Sequence, residues 1–244
     1  MLTNKLSNSL PGSDFEEIYL ASRQSESRVY SDEQVLQLPF IGPAHIHYDE
    51  WQARRRSSDR LKNYLENKKK PLSILEIGCG NGWLSARLAT LKNSTVTGTD
   101  INKSELSQAR RVFSGMVNIR FIEGGIKYIP ADKKFDVIVF AASIQYFPSF
   151  ELVVRDALSL LNEVGEIHIL DSHFYHLNEL ESAKQRSITY YHSIGFGGMA
   201  ELYFHHSYES IKSFSYRIIF NPYNLKSKIF RKNDPFPWIC ITAS

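Results

Sequence analysis

Short apolar runs alternate with helix-like segments along most of the chain. Runs that are apolar throughout, or apolar at every second position, predict seven strands. These strands are expected at residues 72–77, 94–100, 117–122, 135–140, 166–170, 215–220 and 238–242. Apolar residues at helical spacing predict helices at residues 83–91, 102–113 and 151–162. Strands that alternate with helices in this way are typical of an α/β fold with a parallel sheet.

The first 48 residues predict short helices and loops rather than core strands. Residues 14–23 could form a short helix, and Ser31 is a helix cap followed by helix formers. Pro39 and Pro43 then mark a loop. A longer helix with one apolar face is expected at residues 49–67, directly before the first predicted strand.

Composition and charge exclude several classes of protein. The chain has 244 residues, enough for one sizeable α/β domain, with 43% hydrophobic and 23% charged residues. Its formal charge of +3 is spread among acids, so the basic surface of a nucleic-acid binder is not expected. No apolar run is long enough for a membrane span. Residues 1–13 are polar, without the apolar core of a secretory signal, so no secretory leader is expected. A cytoplasmic protein is the expectation.

Cysteines and histidines give no metal-binding spacing. Cys79 and Cys240 are far apart in sequence. His173 and His176 lack a third ligand at a supporting spacing. His205 and His206 are neighbours, so they should point apart on a regular element. No metal site is predicted.

A glycine-rich turn follows the first predicted strand and opens the next helix. Glu76 stands near the end of the strand, and Gly78, Gly80 and Gly82 follow at every second position. Glycines in such a turn let a ligand approach the backbone closely. A dinucleotide-binding turn needs G-x-G-x-x-G, but its third glycine position holds Trp83. The turn therefore predicts a nucleotide-type ligand other than a nicotinamide dinucleotide.

Asp100 closes the second predicted strand, about 20 residues after the glycine turn. An acid at this distance can accept hydrogen bonds from both ribose hydroxyls of a nucleotide-type ligand. The turn, its flanking strand and helix, and Asp100 together make a specific signal.

The segment E-x-G-x-G-x-G at residues 76–82, with Asp100, resembles motif I of class I S-adenosylmethionine-dependent methyltransferases, of the type 11 methyltransferase-domain kind. The resemblance implies a doubly wound, mostly parallel seven-stranded sheet with helices on both faces and an antiparallel closing strand pair. It covers residues 48–244, with a substrate-side insertion at about 171–213. Residues 1–47 would form a helical lead-in that could serve as a lid. The helix at residues 49–67 would either pack over the cofactor as a lid or simply cover a sheet edge.

The resemblance also implies the cofactor S-adenosyl-L-methionine, its product S-adenosyl-L-homocysteine, and a set of cofactor-binding residues. These are Glu76, Gly78, Cys79, Gly80, Asn81, Gly82, Asp100, Ile101, Glu123, Gly124, Gly125, Ala141, Ala142 and Ser143. Gly125 departs from the family pattern, because many members carry there an Asp that contacts the adenine amino group. That contact could shift to Glu123 or to a backbone group, or be absent.

Methyl transfer from a sulfonium is an in-line displacement that needs no metal and no covalent nucleophile. An oxygen or nitrogen acceptor is helped by a general base. His173 and Asp171, after the fifth predicted strand, are the candidate catalytic residues, and Tyr146 shapes the pocket. In the alternative interpretation, Asp171 caps a turn and His173 is an ordinary loop histidine.

Two further groups of residues leave their role open. One of Arg54, Arg55 and Arg56 could reach the cofactor carboxylate, but a solvent-facing cluster is the stronger expectation. An aromatic-rich region forms either the packed underside of a lid or an apolar substrate pocket. Its members are Tyr190, Tyr191, Phe196, Tyr203, Phe204 and Tyr208.

The predicted function is methylation of a small-molecule acceptor at oxygen, nitrogen or carbon, by a monomer or homodimer. One alternative is a methyltransferase fold kept as a binding or scaffold protein without turnover. Another alternative is a methyltransferase that acts on RNA or protein. The weak net charge argues against RNA as the acceptor. The fold and cofactor turn do not identify the acceptor.

Overall fold

The computed structural model describes residues 12–223 and 234–243, which form eight α-helices and nine strands. The helices are α1 (Gly12–Ser25), α2 (Asp32–Gln37), α3 (Tyr48–Glu66), α4 (Trp83–Leu88), α5 (Lys103–Val112), α6 (Phe150–Ser159), α7 (Leu180–Ser193) and α8 (Tyr208–Ile211). The strands are β1 (Ser73–Ile77), β2 (Thr95–Asp100), β3 (Ile119–Glu123), β4 (Phe135–Ala141), β5 (Leu161–Leu170), β6 (Phe174–Tyr175), β7 (His206–Ser207), β8 (Ser215–Phe220) and β9 (Trp238–Thr242).

Seven of the strands form one sheet in the order β3-β2-β1-β4-β5-β9-β8. The first five of these pair in parallel, whereas β9 pairs antiparallel with both β5 and β8. The predicted mostly parallel sheet with an antiparallel closing pair is therefore confirmed. A separate two-stranded sheet of β6 and β7 is an addition that the sequence patterns did not predict.

Strand β5 begins earlier than its sequence predicts. A helix is predicted over residues 151–162, but α6 ends at Ser159 and the strand runs from Leu161. The register against β4 shifts between Phe135 and Val137, so the extra residues form an irregularity at the amino end of the pair. The prediction of helix up to residue 162 is wrong because Gly165 lies inside a strand irregularity rather than after a helix.

Buried side chains cover both faces of the sheet. Ile74 and Val137 belong to one apolar cluster, and their sequence neighbours Leu75 and Ile138 belong to another. Successive residues of a strand point to opposite faces, so the two clusters lie on opposite sides of the sheet. Helices α3 and α4 contribute to the first cluster and α6 to the second. The prediction of helices on both faces is confirmed.

The amino-terminal helices are tied to α3 and α5. Ser31 begins α2 with a capping box, as its sequence predicts. Asp32 accepts hydrogen bonds from Arg111 of α5, and Tyr30 accepts one from Trp51 Nε1 of α3 at 2.8 Å. The domain boundary near residue 47 stays a prediction. Over the described residues, we find no helix that is both long and apolar enough to cross a membrane.

The histidines and cysteines take structural positions. His205 Nε2 lies 2.9 Å from Ser187 Oγ, and His206 Nε2 lies 3.0 Å from the Ile144 carbonyl, so the two rings have different partners. Glu166, His168 and Cys240 bring ligand atoms within 4.8 Å of one another. Lys68 Nζ at 2.7 Å and Arg217 Nη2 at 3.2 Å already neutralise Glu166. We therefore interpret this buried group as a packing network between α3 and the sheet.

Candidate cofactor and acceptor site

The carboxyl ends of the central strands open into a cavity of about 1220 Å³. Ile77 at the end of β1, Asp100 at the end of β2 and Ala141 at the end of β4 all line it. Asp171, directly after β5, also lines it. This is the edge at which open α/β sheets bind their ligands.

The glycine turn and the segment after β4 are packed against each other at the floor of the cavity. Gly78 has a φ of +75°, and a Cβ there would stand 2.5 Å from the Ser143 Cβ. Ser143 is fixed in turn, because its Oγ donates to the Ile77 carbonyl at 2.6 Å. Only glycine at position 78 combines this backbone conformation with this close approach.

The two carboxylate oxygens of Asp100 each accept a hydrogen bond from the backbone. The Gly80 amide donates to Oδ2 at 2.7 Å and the Asn102 amide donates to Oδ1 at 2.8 Å. Each oxygen keeps a lone pair, and the side chain lines the cavity. Two acceptor positions on one carboxylate fit the two hydroxyls of a ribose.

Most of the predicted site residues come together around this cavity. Its lining includes Glu76, Gly78, Cys79, Gly80, Asn81, Asp100, Ile101, Gly124, Gly125, Ala141, Ala142, Ser143, Tyr146, Asp171 and His173. Gly82 lies behind the turn, where a Cβ would meet the Phe121 ring at 2.7 Å. Glu123 is exposed at the end of β3 and lies 3.5 Å from Lys103 Nζ. The cofactor contacts of all these residues stay predictions.

Glu76 is a buried acid under the glycine turn. Its Oε2 lies 2.5 Å from Ser85 Oγ, which donates to it. Burial, with a smaller effect from the nearby charge of Asp100, raises the pKa of Glu76 to about 8, although the Ser85 hydrogen bond opposes the shift. This carboxyl is therefore mostly protonated at neutral pH.

The shifted pKa of Glu76 predicts a pH-dependent stability. The folded protein keeps the Glu76 proton up to about pH 8, whereas the unfolded chain loses it near the ordinary glutamate pKa of 4.5. Stability from this group is complete below pH 4.5 and is lost as the pH rises towards 8. Glu76→Gln should therefore raise the free energy of unfolding relative to wild type at pH 8, by at least about 1 kcal/mol. Urea unfolding of both proteins at pH 5 and pH 8 checks this, and an equal difference at the two pH values would contradict it.

An aromatic cluster covers the other side of the cavity. The Tyr146 ring has three edge-on neighbours at centroid distances of 5.6 to 6.0 Å: Phe15 and Tyr19 of α1, and Tyr203. Tyr191 of α7 lies 6.1 Å from Tyr203. These five residues, called the aromatic cluster below, all line the cavity. Helix α1 therefore forms part of the cavity wall.

The predicted aromatic-rich region is divided between the cavity and the core. Tyr190, Tyr191, Tyr203 and Phe204 line the cavity, and Tyr190 also donates to Glu26, just after α1. Tyr208 instead packs against Phe174 and His176. Tyr190 thus contacts the residue after α1 and lines the cavity at the same time.

Charged residues from α1 and α3 complete the cavity wall. Arg54 Nη2 donates to Glu50 Oε1 at 2.9 Å, and Arg28 Nη1 donates to the other Glu50 oxygen at 2.5 Å. The Arg54 side chain is only 17% exposed, so the expectation of a solvent-facing cluster is wrong for this residue. Arg23 and Glu26 also line the cavity, and their sequence offered no signal for it. Their position depends on how the helices pack.

Glu105 is a further cavity residue that sequence reasoning missed. It stands in the first turn of α5, where its amide donates to Asn102 Oδ1 at 3.0 Å. Its carboxylate lies against Gly80, 3.3 Å from the position that a Cβ there would take. The signal that could have found it is its place in the first turn of the helix that directly follows Asp100.

The turns after β4 and β5 have a strained backbone. Ala142 and Asp171 both have a φ of +53°, which residues other than glycine seldom adopt. The Ala142 amide donates to the Leu170 carbonyl at 3.0 Å, and Gln145 Nε2 donates to the Ala142 carbonyl at 2.6 Å. Such strain costs about 1–3 kcal/mol per residue and is common at functional sites.

The two candidate bases have different surroundings. Asp171 is buried, and burial raises its pKa to about 6 although Arg54 opposes the shift. His173 packs on the Phe236 ring with centroids 4.6 Å apart, and burial lowers its pKa. An acid with a pKa near 6 is largely ionised at pH 7 and accepts a proton more readily than an ordinary Asp.

Gly78→Ala should destabilise the protein, because the new Cβ meets Ser143 and the φ of +75° becomes strained. A loss of about 2 kcal/mol or more in the free energy of unfolding is expected. Gly125→Ala is the matched control, since a Cβ there meets nothing within 4 Å and φ is −85°. Its stability should stay within about 0.5 kcal/mol of wild type. Urea unfolding measures both, and equal stabilities of the two variants would contradict the packing described.

A sequence profile of the family described as "Methyltransferase domain" matches residues 68–223. Among curated proteins, malonyl-[acyl-carrier protein] O-methyltransferase of Halalkalibacterium halodurans is 31% identical over 147 residues, 56% of this chain and 54% of that protein. The 27-O-demethylrifamycin SV methyltransferase of Amycolatopsis mediterranei is 29% identical over 146 residues, 52% of this chain and 51% of that protein. The matches thus span about half the length of these relatives.

Solved structures share the fold at low sequence identity. Magnesium protoporphyrin IX methyltransferase (ChlM) from Synechocystis PCC 6803, with bound S-adenosylhomocysteine, has a TM-score of 0.61 and 14% identity. The match covers 96% of this chain and 100% of the Synechocystis chain. The family profile covers more than half of the chain, and the glycine turn and Asp100 line the same cavity. The chain therefore belongs to the class I family of methyltransferases, whose cofactor is S-adenosylmethionine.

Proposed function

We propose that the protein transfers a methyl group from S-adenosylmethionine to a small-molecule acceptor. The observation that carries this proposal is the continuous cavity of about 1220 Å³. One side of it holds the glycine turn and Asp100, and the other side holds the aromatic cluster. A pocket for the methyl donor and a pocket for its acceptor must be continuous, since the reacting atoms have to meet in line.

The cofactor-binding residues have separate proposed roles. Asp100 accepts the ribose hydroxyls, and the glycine turn lies against the cofactor backbone. Gly124 and Gly125 line the cavity whereas Glu123 does not, which favours a backbone contact to the adenine. Ala141 ends β4, and Ala142 and Ser143 follow it. We place the reacting methyl beside these three residues, between the two sides of the cavity.

For methyl transfer, the protein mainly has to align the methyl donor with the acceptor and to remove a proton from the acceptor. S-adenosylmethionine supplies a methyl group on a positively charged sulfur, and its transfer leaves neutral S-adenosylhomocysteine. Asp171 is the proposed general base, because this residue lines the cavity and its pKa of about 6 suits proton transfer near neutrality. His173 is the second candidate. Tyr146 positions the acceptor and helps exclude water.

The aromatic cluster supports a flat acceptor with oxygen atoms. The hydroxyls of Tyr19, Tyr146 and Tyr203 have no hydrogen-bond partner among the described residues. Burial raises the pKa of each of these phenols, so they are neutral donors. Their rings offer stacking surfaces and their hydroxyls offer hydrogen bonds to acceptor oxygens. The relative from H. halodurans is named an O-methyltransferase, which also favours an oxygen acceptor.

Methyl-labelled S-adenosylmethionine tests the proposal. The intact protein is incubated with a panel of phenols, carboxylic acids and amines, and label in the organic products is measured. We expect transfer to at least one oxygen-bearing aromatic acceptor. Tight cofactor binding without transfer to any member of a broad panel would instead favour the binding or scaffold alternative. Label on bulk RNA or protein would favour a macromolecular acceptor.

A further inference from the structure

Three arginines line the cavity: Arg23, Arg28 and Arg54. Two of them are held by one carboxylate. Arg54 donates to Glu50 Oε1 from Nε at 3.1 Å and from Nη2 at 2.9 Å, and Arg28 Nη1 donates to Glu50 Oε2 at 2.5 Å. Both oxygens of Glu50 are therefore occupied, and the charges of these two arginines have a fixed partner.

Arg23 of α1 has no comparable partner. Its side chain forms no hydrogen bond with a described residue, and its Nε is buried without one. The only described carboxylate within 4.0 Å is that of Glu26, which lies 3.8 Å from Nη1, beyond hydrogen-bond distance. Glu26 is also shared, because Tyr190 donates to its Oε1 and Arg28 Nε lies 3.6 Å from its Oε2. The donors of the Arg23 guanidinium thus remain open to a ligand.

The charges on this wall of the cavity leave one cation without a counter-charge. The three arginines meet only two carboxylates within 4.0 Å, those of Glu26 and Glu50. Over residues 12–223 and 234–243, no other acid that lines the cavity lies within this distance of Arg23. The Arg23 side chain is 24% exposed, so water compensates its charge only in part. Such a cation favours an anionic ligand.

Arg23 stands beside the aromatic cluster, on the acceptor side of the cavity. Its Cζ lies 5.6 Å from the centre of the Tyr19 ring, and the Tyr19 ring lies 5.6 Å from the Tyr146 ring. The Tyr146 amide donates to the Ser143 carbonyl at 3.0 Å, so Tyr146 adjoins the residues beside which we place the reacting methyl. An acceptor ring packed on Tyr19 and Tyr146 would therefore have Arg23 within reach of one of its substituents.

We propose that the acceptor is an aromatic carboxylic acid and that Arg23 binds its carboxylate. This inference rests on the proposed function and deepens it by naming the charge of the acceptor. A planar guanidinium can donate two parallel hydrogen bonds to a carboxylate, which fixes the orientation of the acceptor as well as its charge. A phenol hydroxyl elsewhere on the acceptor gives its proton to Asp171 and forms the new bond to the methyl group. The electron pair of the broken carbon–sulfur bond stays on the sulfur, which becomes neutral.

Matched acids and amides test the proposal. The intact protein is incubated with methyl-labelled S-adenosylmethionine and a series of hydroxybenzoic and hydroxycinnamic acids, each paired with its primary amide. Each amide keeps the ring and the hydroxyls of its acid but carries no charge. We expect wild type to have a kcat/KM roughly 10- to 100-fold higher for the acid than for its amide. Arg23→Gln should remove this preference by lowering kcat/KM for the acids alone.

Two further variants control for charge and for position. Arg23→Lys keeps the charge but loses the paired donors, so it should restore part of the preference for acids. Arg55→Gln should behave like wild type, because Arg55 of α3 is 45% exposed and is not part of the cavity lining. Arg23→Gln should unfold at the same urea concentration as wild type, since no hydrogen bond to a described residue is lost.

The cofactor also carries a carboxylate, and calorimetry distinguishes this second source. We expect Arg23→Gln to bind S-adenosylmethionine and S-adenosylhomocysteine with wild-type affinity. Weaker binding of both compounds, with an unchanged ratio of acid to amide turnover, would assign Arg23 to the cofactor carboxylate and overturn the proposal.

Equal turnover of acids and amides by wild type would overturn the proposal and leave the proposed function intact. A preference for acids that persists in Arg23→Gln would overturn it as well. If that variant does not fold, the ratio of acid to amide turnover in wild type decides the matter, and a ratio near one contradicts the proposal. Transfer to no member of either series would contradict the proposed function itself, and this inference would fall with it.

Discussion

Asp100→Asn is expected to weaken S-adenosylmethionine binding by roughly 100-fold. A hydrogen bond to a charged group contributes about 1.5–3 kcal/mol, and Asp100 is placed to accept two from the ribose. Asparagine also has one acceptor oxygen where the carboxylate has two. Its NH₂ group would face either the Gly80 amide or the Asn102 amide, which both donate to Asp100 now. Calorimetry of the variant with S-adenosylmethionine and S-adenosylhomocysteine measures the loss, which should be similar for both.

Asp136→Asn is the matched control for Asp100→Asn. Asp136 also accepts a backbone hydrogen bond, from the Ser73 amide at 2.9 Å, but it stands at the amino end of β4. That edge of the sheet is opposite the cavity. The control should lose some stability, since Lys70 also pairs with Asp136 at 3.1 Å, and keep its cofactor affinity. An Asp100→Asn variant that is folded and binds the cofactor like wild type would contradict the assignment of the ribose acid.

Asp171→Asn is expected to lower kcat by roughly 100-fold with an acceptor that must lose a proton. Asparagine tolerates the φ of +53° at this position, so the change removes the proton acceptor without adding backbone strain. Cofactor affinity should stay close to wild type. In wild type, kcat/KM should rise with pH through about 6, as Asp171 ionises, and this limb should disappear in the variant.

His173→Gln separates the two candidate bases. If Asp171 is the base, the glutamine variant should keep the limb near pH 6 and lose little activity, since His173 packs on Phe236. Full activity and an unchanged pH profile in Asp171→Asn would show that Asp171 only stabilises the turn and is not the general base. A loss of the limb in His173→Gln would transfer the role to that residue.

The sequence predicted those parts of the site that are formed by residues close together in the chain. A strand, a glycine turn and a helix are each defined by neighbouring residues. The sequence of residues 72–91 is therefore sufficient to predict that Gly78 and Gly80 lie in a turn between a strand and a helix. Asp100 could be predicted as well, because the end of β2 follows from the alternation of its own residues. The prediction of a helix up to residue 162 was wrong, because a glycine such as Gly165 occurs inside strand irregularities as well as after helices. Only the pairing of β5 with β4 distinguishes these two cases.

The residues that the sequence did not predict reach the cavity through packing between distant segments. Arg23, Arg54 and Glu105 come from three helices that are separated by up to about 80 residues. Nothing in the local pattern of α3 distinguishes Arg54 from Arg55, yet Arg54 turns inward to Glu50 and Arg55 is 45% exposed. The rotation of α3 is set by Trp51, Leu61 and Leu65, which are buried against the sheet and α4. Such rotations depend on the whole core.

Calorimetric titration of the intact, folded protein with S-adenosylmethionine measures whether the cavity binds this compound. We expect saturable binding at one site, with a dissociation constant in the range of about 1 µM to 1 mM that is usual for enzyme substrates. Absence of binding at roughly millimolar concentration, with the protein's fold verified in the same sample, would contradict the account.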